Sequence, residues 1–124
     1  MTPFEQLGGE DALREIIDDF VDHCFDDAMI GYFFQRASRA RIKRFEYEHA
    51  AALLGAPLEY RGRGIPEAHA SHRILGGQFD RRLQILREAF ERHAVPASIR
   101  DRWLAHAEAL RSQITSDPAG QCID

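Results

Sequence analysis

Two histidines three residues apart, His69 and His72, lie in the stretch Glu67-Ala68-His69-Ala70-Ser71-His72-Arg73-Ile74. Neutral imidazole is the commonest protein ligand for metal ions and also holds haem iron. A second segment repeats the spacing with Glu46 and His49. Residues at i and i+3 share one helix face. Two such faces opposed across a gap admit two kinds of site. In one, haem fills the gap and one histidine holds iron. In the other, the gap is narrow and Glu46, His49, His69 and His72 converge on non-haem ions, as Glu-x-x-His motifs do in helical di-iron proteins. The plain alternative is that His69 and His72 are surface histidines.

The surrounding elements must position these groups. Gly55 to Ile65 reads as a loop, and Pro66 suits a first helical position, so Pro66 to Ile74 predicts a short helix. Gly76-Gly77 then breaks the chain before a helix from Gln78 to His93, with Phe79, Leu83, Leu86 and Phe90 on one face and Ile85 on its flank. Upstream, Thr2 to Leu7 is a helical turn ended by Gly8-Gly9. From Glu10 to Phe25, Leu13, Ile16, Ile17, Phe20, Val21, Cys24 and Phe25 recur by threes and fours. Asp26-Asp27 ends that helix, and Met29, Ile30, Tyr32, Phe33 and Phe34 form an aromatic corner. Ser38 caps a helix from Arg39 to Leu54. Its inward face is drawn through Ile42, Phe45, Glu46, His49, Ala50 and Leu53. A carboxylate on a buried stripe needs a partner. The competing rotation puts Tyr47 and Ala51 inward and Glu46 in water. A last helix begins at Pro96, with Ser98-Ile99-Arg100-Asp101 as a capping box and Ile99, Trp103, Ala107, Leu110 and Ile114 as its face. Residues 115–124 read as a frayed tail.

Composition narrows the classes. The 124 residues suit a single domain, 1–124, and no segment alternates with period two. The expected class is all-α. A net charge of -4 argues against a nucleic-acid surface. No apolar run approaches the roughly 18 residues of a membrane span, and the N-terminus lacks a signal-peptide pattern. Two cysteines make no disulfide framework. Cys24 is expected in the core, and a cytoplasmic location is the default.

The ordered set Leu7-Gly8-Gly9, Asp26-Asp27, Phe33-Phe34, Leu54-Gly55-Ala56-Pro57, Tyr60-Arg61-Gly62 and His69, with Ile74 and Phe79 behind it, resembles the truncated haemoglobins, most closely group I. The resemblance runs from Phe4 to about Val95 without gaps. It implies a truncated globin-like fold, a two-over-two helical sandwich around a haem pocket, with haem b as cofactor. It makes His69 the proximal iron ligand and the helix Arg39–Leu54 the distal one, and it puts His72 near the haem edge. The residues it places at the cofactor are Phe20, Val21, Phe33, Phe34, Ile42, Phe45, Glu46, His49, Arg63, His72, Ile74 and Phe79.

This chain departs from that pattern on the distal side. The family's ligand-binding tyrosine matches Val21, and the usual distal glutamine or leucine with its polar neighbour matches Ile42, Phe45 and Glu46. Glu46 is then an acid–base group beside iron, or His49 is a sixth ligand, or the two pair with each other. Arg39, Arg41, Lys43, Arg44, Arg61, Arg63 and Arg73 are candidates to hold haem propionates, with a solvated helix face as the alternative for the first four. His23, His93 and His106 receive no role. The expected function is binding of O2, NO or CO, with redox or NO and peroxide chemistry rather than oxygen storage. The alternatives are a globin-shaped sensor or interaction module with little or no haem, or the non-haem site. Expected partners are diatomic gases and a reductase, with no nucleic acid and no membrane, in a monomer or weak homodimer.

Overall fold

The computed structural model describes residues 1–57 and 74–115. Among them the regular elements are all helical: α1 (Pro3–Leu7), α2 (Gly9–Asp26), a 3-10 turn (Gly31–Phe34), α3 (Arg39–Leu53), α4 (Gly76–Arg92), α5 (Ala97–Ala109) and α6 (Arg111–Ile114). No described helix is long and apolar enough to cross a membrane. The expected helix Pro66 to Ile74 falls largely outside the described residues, and so do residues 116–124.

α2 is the central element. It packs on α3 and on α4, while α4 packs on α5. Its buried side chains are Leu13, Ile16, Ile17, Phe20, Val21 and Cys24, the stripe its periodicity predicts. Leu13 is 0% exposed. Phe25, the last member of the predicted stripe, is only partly buried and stacks on Phe34 with ring centroids 4.7 Å apart. Cys24 is free, and burial pushes its thiol pKa up to about 12. A thiol held so far from ionisation is a small core residue rather than a nucleophile.

α1 is fixed at both ends. The Thr2 hydroxyl accepts from Glu5 N–H, and the Glu5 carboxylate accepts from Thr2 N–H at 3.0 Å. Phe4 N–H donates to Leu54 O at 2.9 Å, tying this turn to the end of α3. Gly8, at φ +121°, then reverses the chain into α2.

Several boundaries differ from the sequence-based expectation. α4 begins at Gly76 rather than after the Gly-Gly break, because the Gln78 side chain accepts from Leu75 N–H at 2.8 Å and closes the first turn. Ile85, on the flank of the α4 stripe, is buried as well. The capping box at Ser98 does not form. Pro96 is the cap residue of α5, so Ser98 already lies inside the first turn. The last helix is also not continuous; it breaks at Leu110 before the short α6. Trp103 is core as expected and packs on Phe90 at 4.9 Å.

The corner between α2 and α3 is held by Asp27. Its carboxylate accepts from Met29 N–H (3.0 Å) and Ile30 N–H (3.1 Å), and from Arg81 of α4. Burial raises its pKa, but Arg81 and the two backbone donors outweigh burial and hold it below the usual carboxylate value. At Gly31 a Cβ would sit 2.6 Å from the carbonyl oxygen of Phe25. Gly77 is a contrast, because a Cβ there meets only the end of Met29 at 3.8 Å. Gly31→Ala is therefore expected to destabilise the fold by about 1–3 kcal/mol. Gly77→Ala should be neutral or stabilising by up to about 1 kcal/mol. Urea midpoints of the two variants check this, and equal midpoints would contradict the close approach at Gly31.

Candidate functional site

α3 presents two faces. Tyr47, Ala50 and Ala51 are buried, and Leu54 follows them into the core. Beside that face runs a half-buried row of Ile42, Phe45, Glu46, His49 and Leu53. Of the two rotations considered, the one with Tyr47 and Ala51 inward is observed. It turns the packed face by one residue, about 100°. Glu46 nevertheless does not stand in water. Arg82 of α4 donates from Nη2 to both of its oxygens, at 3.2 and 3.3 Å. The same guanidinium lies over the Phe20 ring, 5.0 Å from its centroid. Three helices thus meet at one ion pair.

His49 has a different neighbour. Its Nε2 lies 3.0 Å from Nε2 of His106 on α5, with the rings edge to face. One ring must donate and the other accept. Glu46 takes its hydrogen bonds from Arg82 and acts on the His49 ring through its charge. Each ionisable group of the α3 row is engaged by another helix, the acid by Arg82 and the imidazole by His106. Burial pushes the His49 ring pKa below its ordinary value of 6.5; Glu46 pulls it up, and His106 and Arg82 push it down.

The cations divide in the same way. Arg39 reaches Asp22 and Asp26 at 3.1 Å each, and Lys43 reaches Asp22 at 2.9 Å. These two are bound to the acidic side of α2. Arg41 and Arg44 lie over the Phe45 ring at 5.2 and 5.0 Å. His93 is also not idle, because it joins Arg92 at Asp19, 2.9 and 2.8 Å away. His23 meets the same carboxylate at 2.9 Å.

Of the other expected site residues, Phe20, Val21 and Phe79 are fully buried. Phe33, Phe34 and Ile74 are partly buried against the core. Arg63, His69 and His72 lie outside the described residues. Two residues that the sequence reading left unassigned join the site, Arg82 and His106. Both carried a signal. Arg82 stands three after Phe79 and four before Leu86, so it falls on the apolar stripe of α4 as Glu46 does near that of α3. His106 likewise stands three after Trp103 and four before Leu110.

The Bacterial-like globin family profile matches residues 2–116. The chain belongs to the bacterial-like globins. The group 1 truncated haemoglobin of Mycolicibacterium paratuberculosis is 25% identical over 118 residues, covering 95% of this chain and 87% of the relative. That of Tetrahymena pyriformis is 28% identical over 79 residues, 64% of this chain and 65% of the relative. The Fe(III) crystal structure of the Tetrahymena pyriformis truncated haemoglobin superposes with a TM-score of 0.82 at 23% identity, covering 93% of this chain and 98% of that one. The group II truncated haemoglobin from Bacillus anthracis gives 0.83 at 20% identity, covering 94% and 92%. The fold of this globin is therefore the two-over-two sandwich, with α2 on α3 and α4 on α5. Ile42, Phe45 and Leu53 of its α3 row are partly buried, Ile42 and Leu53 against the core.

The depressed His49 pKa has a consequence for stability. The ring is held neutral in the fold and takes a proton more readily when unfolded. Its contribution is complete above about pH 6.5 and is lost as pH falls through the lower folded value. His49→Leu removes that proton uptake. Its Tm should fall less than that of the parent between about pH 7.5 and pH 5. Parallel Tm curves would show that His49 titrates alike in both states.

Proposed function

We propose that this globin holds haem b through His69 and binds O2, NO or CO on the face bounded by α2 and α3. The half-buried row of α3 carries the reading. Membership of the bacterial-like globins and the group 1 truncated haemoglobin relatives support it. Bound haem supplies a redox-active iron that coordinates diatomic gases. The chain supplies everything else. Phe20, Val21, Ile42 and Phe45 keep bulk water from the ligand side, and Phe33, Phe34, Ile74 and Phe79 back the ring. His72 and Arg63 serve its polar edge.

The distal chemistry follows from what Val21 lacks. A valine has no hydroxyl to donate to bound O2, so long-lived oxygen storage is disfavoured. Turnover of NO or peroxide, with electrons from a reductase in a reducing cytoplasm, fits the pocket better. His49 is an unsuited sixth ligand while its Nε2 faces His106. The non-haem reading is also less well supported. Two of its four donors, Glu46 and His49, are engaged by Arg82 and His106.

Absorption spectra of the purified protein in ferric, ferrous and CO forms test this. A Soret band that vanishes in His69→Ala, with helical circular dichroism retained, is the expected result. A colourless parent protein with stoichiometric iron would instead favour the non-haem site.

A further inference from the structure

Three observations converge on Arg82. First, it is a fixed cation on the apolar stripe of α4, with a side chain 26% exposed. Second, it touches two other helices at once, through the Glu46 carboxylate of α3 and the Phe20 ring of α2. Phe20 and Glu46 are residues that the haem reading assigns to the ligand side. Third, its hydrogen bonding is incomplete. A guanidinium carries five N–H donors. Among the described residues, Nη2 alone is used, and it is shared between two oxygens at 3.2 and 3.3 Å. A two-nitrogen fork on a carboxylate is shorter and stronger. The carboxylate therefore orients the guanidinium while leaving donors to spare.

We propose that Arg82 is the polar donor of the ligand side and makes this globin bind small inorganic anions in addition to neutral gases. The proposal rests on the haem reading above. Val21, beside Phe20, offers no donor, and the guanidinium packed on Phe20 fills that chemical role differently. A tyrosine hydroxyl serves a neutral polar ligand. A guanidinium adds a full positive charge that no change of pH in the working range removes. The favoured class is the small monoanion, such as fluoride, azide, nitrite or the hydroperoxide anion. Glu46 sets the strength of that binding, because its negative charge competes with the ligand for the same guanidinium.

Fluoride titration of the ferric protein, followed at the Soret band, reads the anion. CO titration of the ferrous protein reads the neutral ligand. A hydrogen bond to a charged group corresponds to about tenfold or more in affinity. Arg82→Leu should weaken fluoride binding by about tenfold or more and change CO binding by less than about threefold. Arg82→Lys should recover part of the loss, and Glu46→Gln should tighten fluoride. If Arg82→Leu fails to fold, the last two variants decide on the same criteria. Fluoride affinity alike in all variants overturns the proposal. A parallel loss of fluoride and CO also overturns it, since that pattern marks a collapsed pocket. A parent protein without a Soret band overturns this inference together with the haem reading. A parent with a Soret band but fluoride binding indifferent to Arg82 overturns this inference alone.

Discussion

The seating of α3 on α2 governs the rest of the molecule. Ala50 and Ala51 are buried there, flanked by Tyr47 and Leu54. Two adjacent small side chains and two larger ones make up the face that α3 commits to the core. Once that face is committed, Ile42, Phe45, Glu46, His49 and Leu53 must lie beside it. They are neither in the centre of the core nor free in solvent. A half-covered apolar row containing one acid and one imidazole is a poor solution for stability alone. Under the proposed haem reading, it is the surface that receives a flat, mostly apolar group.

Charge is sorted around this seating. The outer side of α2 carries Asp18, Asp19, Asp22 and Asp26. It takes up Arg39 and Lys43 from α3, Arg92 from α4, and His93 from the turn after α4. Such exposed pairs contribute little energy each. They remove many of the cations near α3 from contention for an anionic ligand or a propionate. Arg82 is different because it pairs with the partly buried Glu46 carboxylate and lies over the core ring of Phe20. Arg111 is similar in type but not in place, lying over Phe79 and pairing with Glu108 and Asp80.

Much of this was legible beforehand where burial has a period. The stripes of α2 and α4 and the core position of Trp103 follow from spacing by threes and fours, since a helix must hide that face. The corner at Asp27 and the break at Gly8 were legible as turn chemistry. The capping box at Ser98 was misread, because the choice of cap depends on where Pro96 lets the helix begin. The rotation of α3 was ambiguous for a physical reason. Its apolar residues spread around more than one face, so pattern alone permits two answers.

What the residues alone determined is the helical class, the family, and the presence of an acid and imidazoles at helical spacing. These depend on periodicity and on ordered local signals, which are properties of a chain read one segment at a time. Only the folded arrangement decided that Glu46 answers to Arg82 and His49 to His106. Those partners stand 36 and 57 positions away. Contacts at such separations depend on which helices cross and at what rotation. No local pattern encodes that, because it is settled by the packing of whole faces against one another.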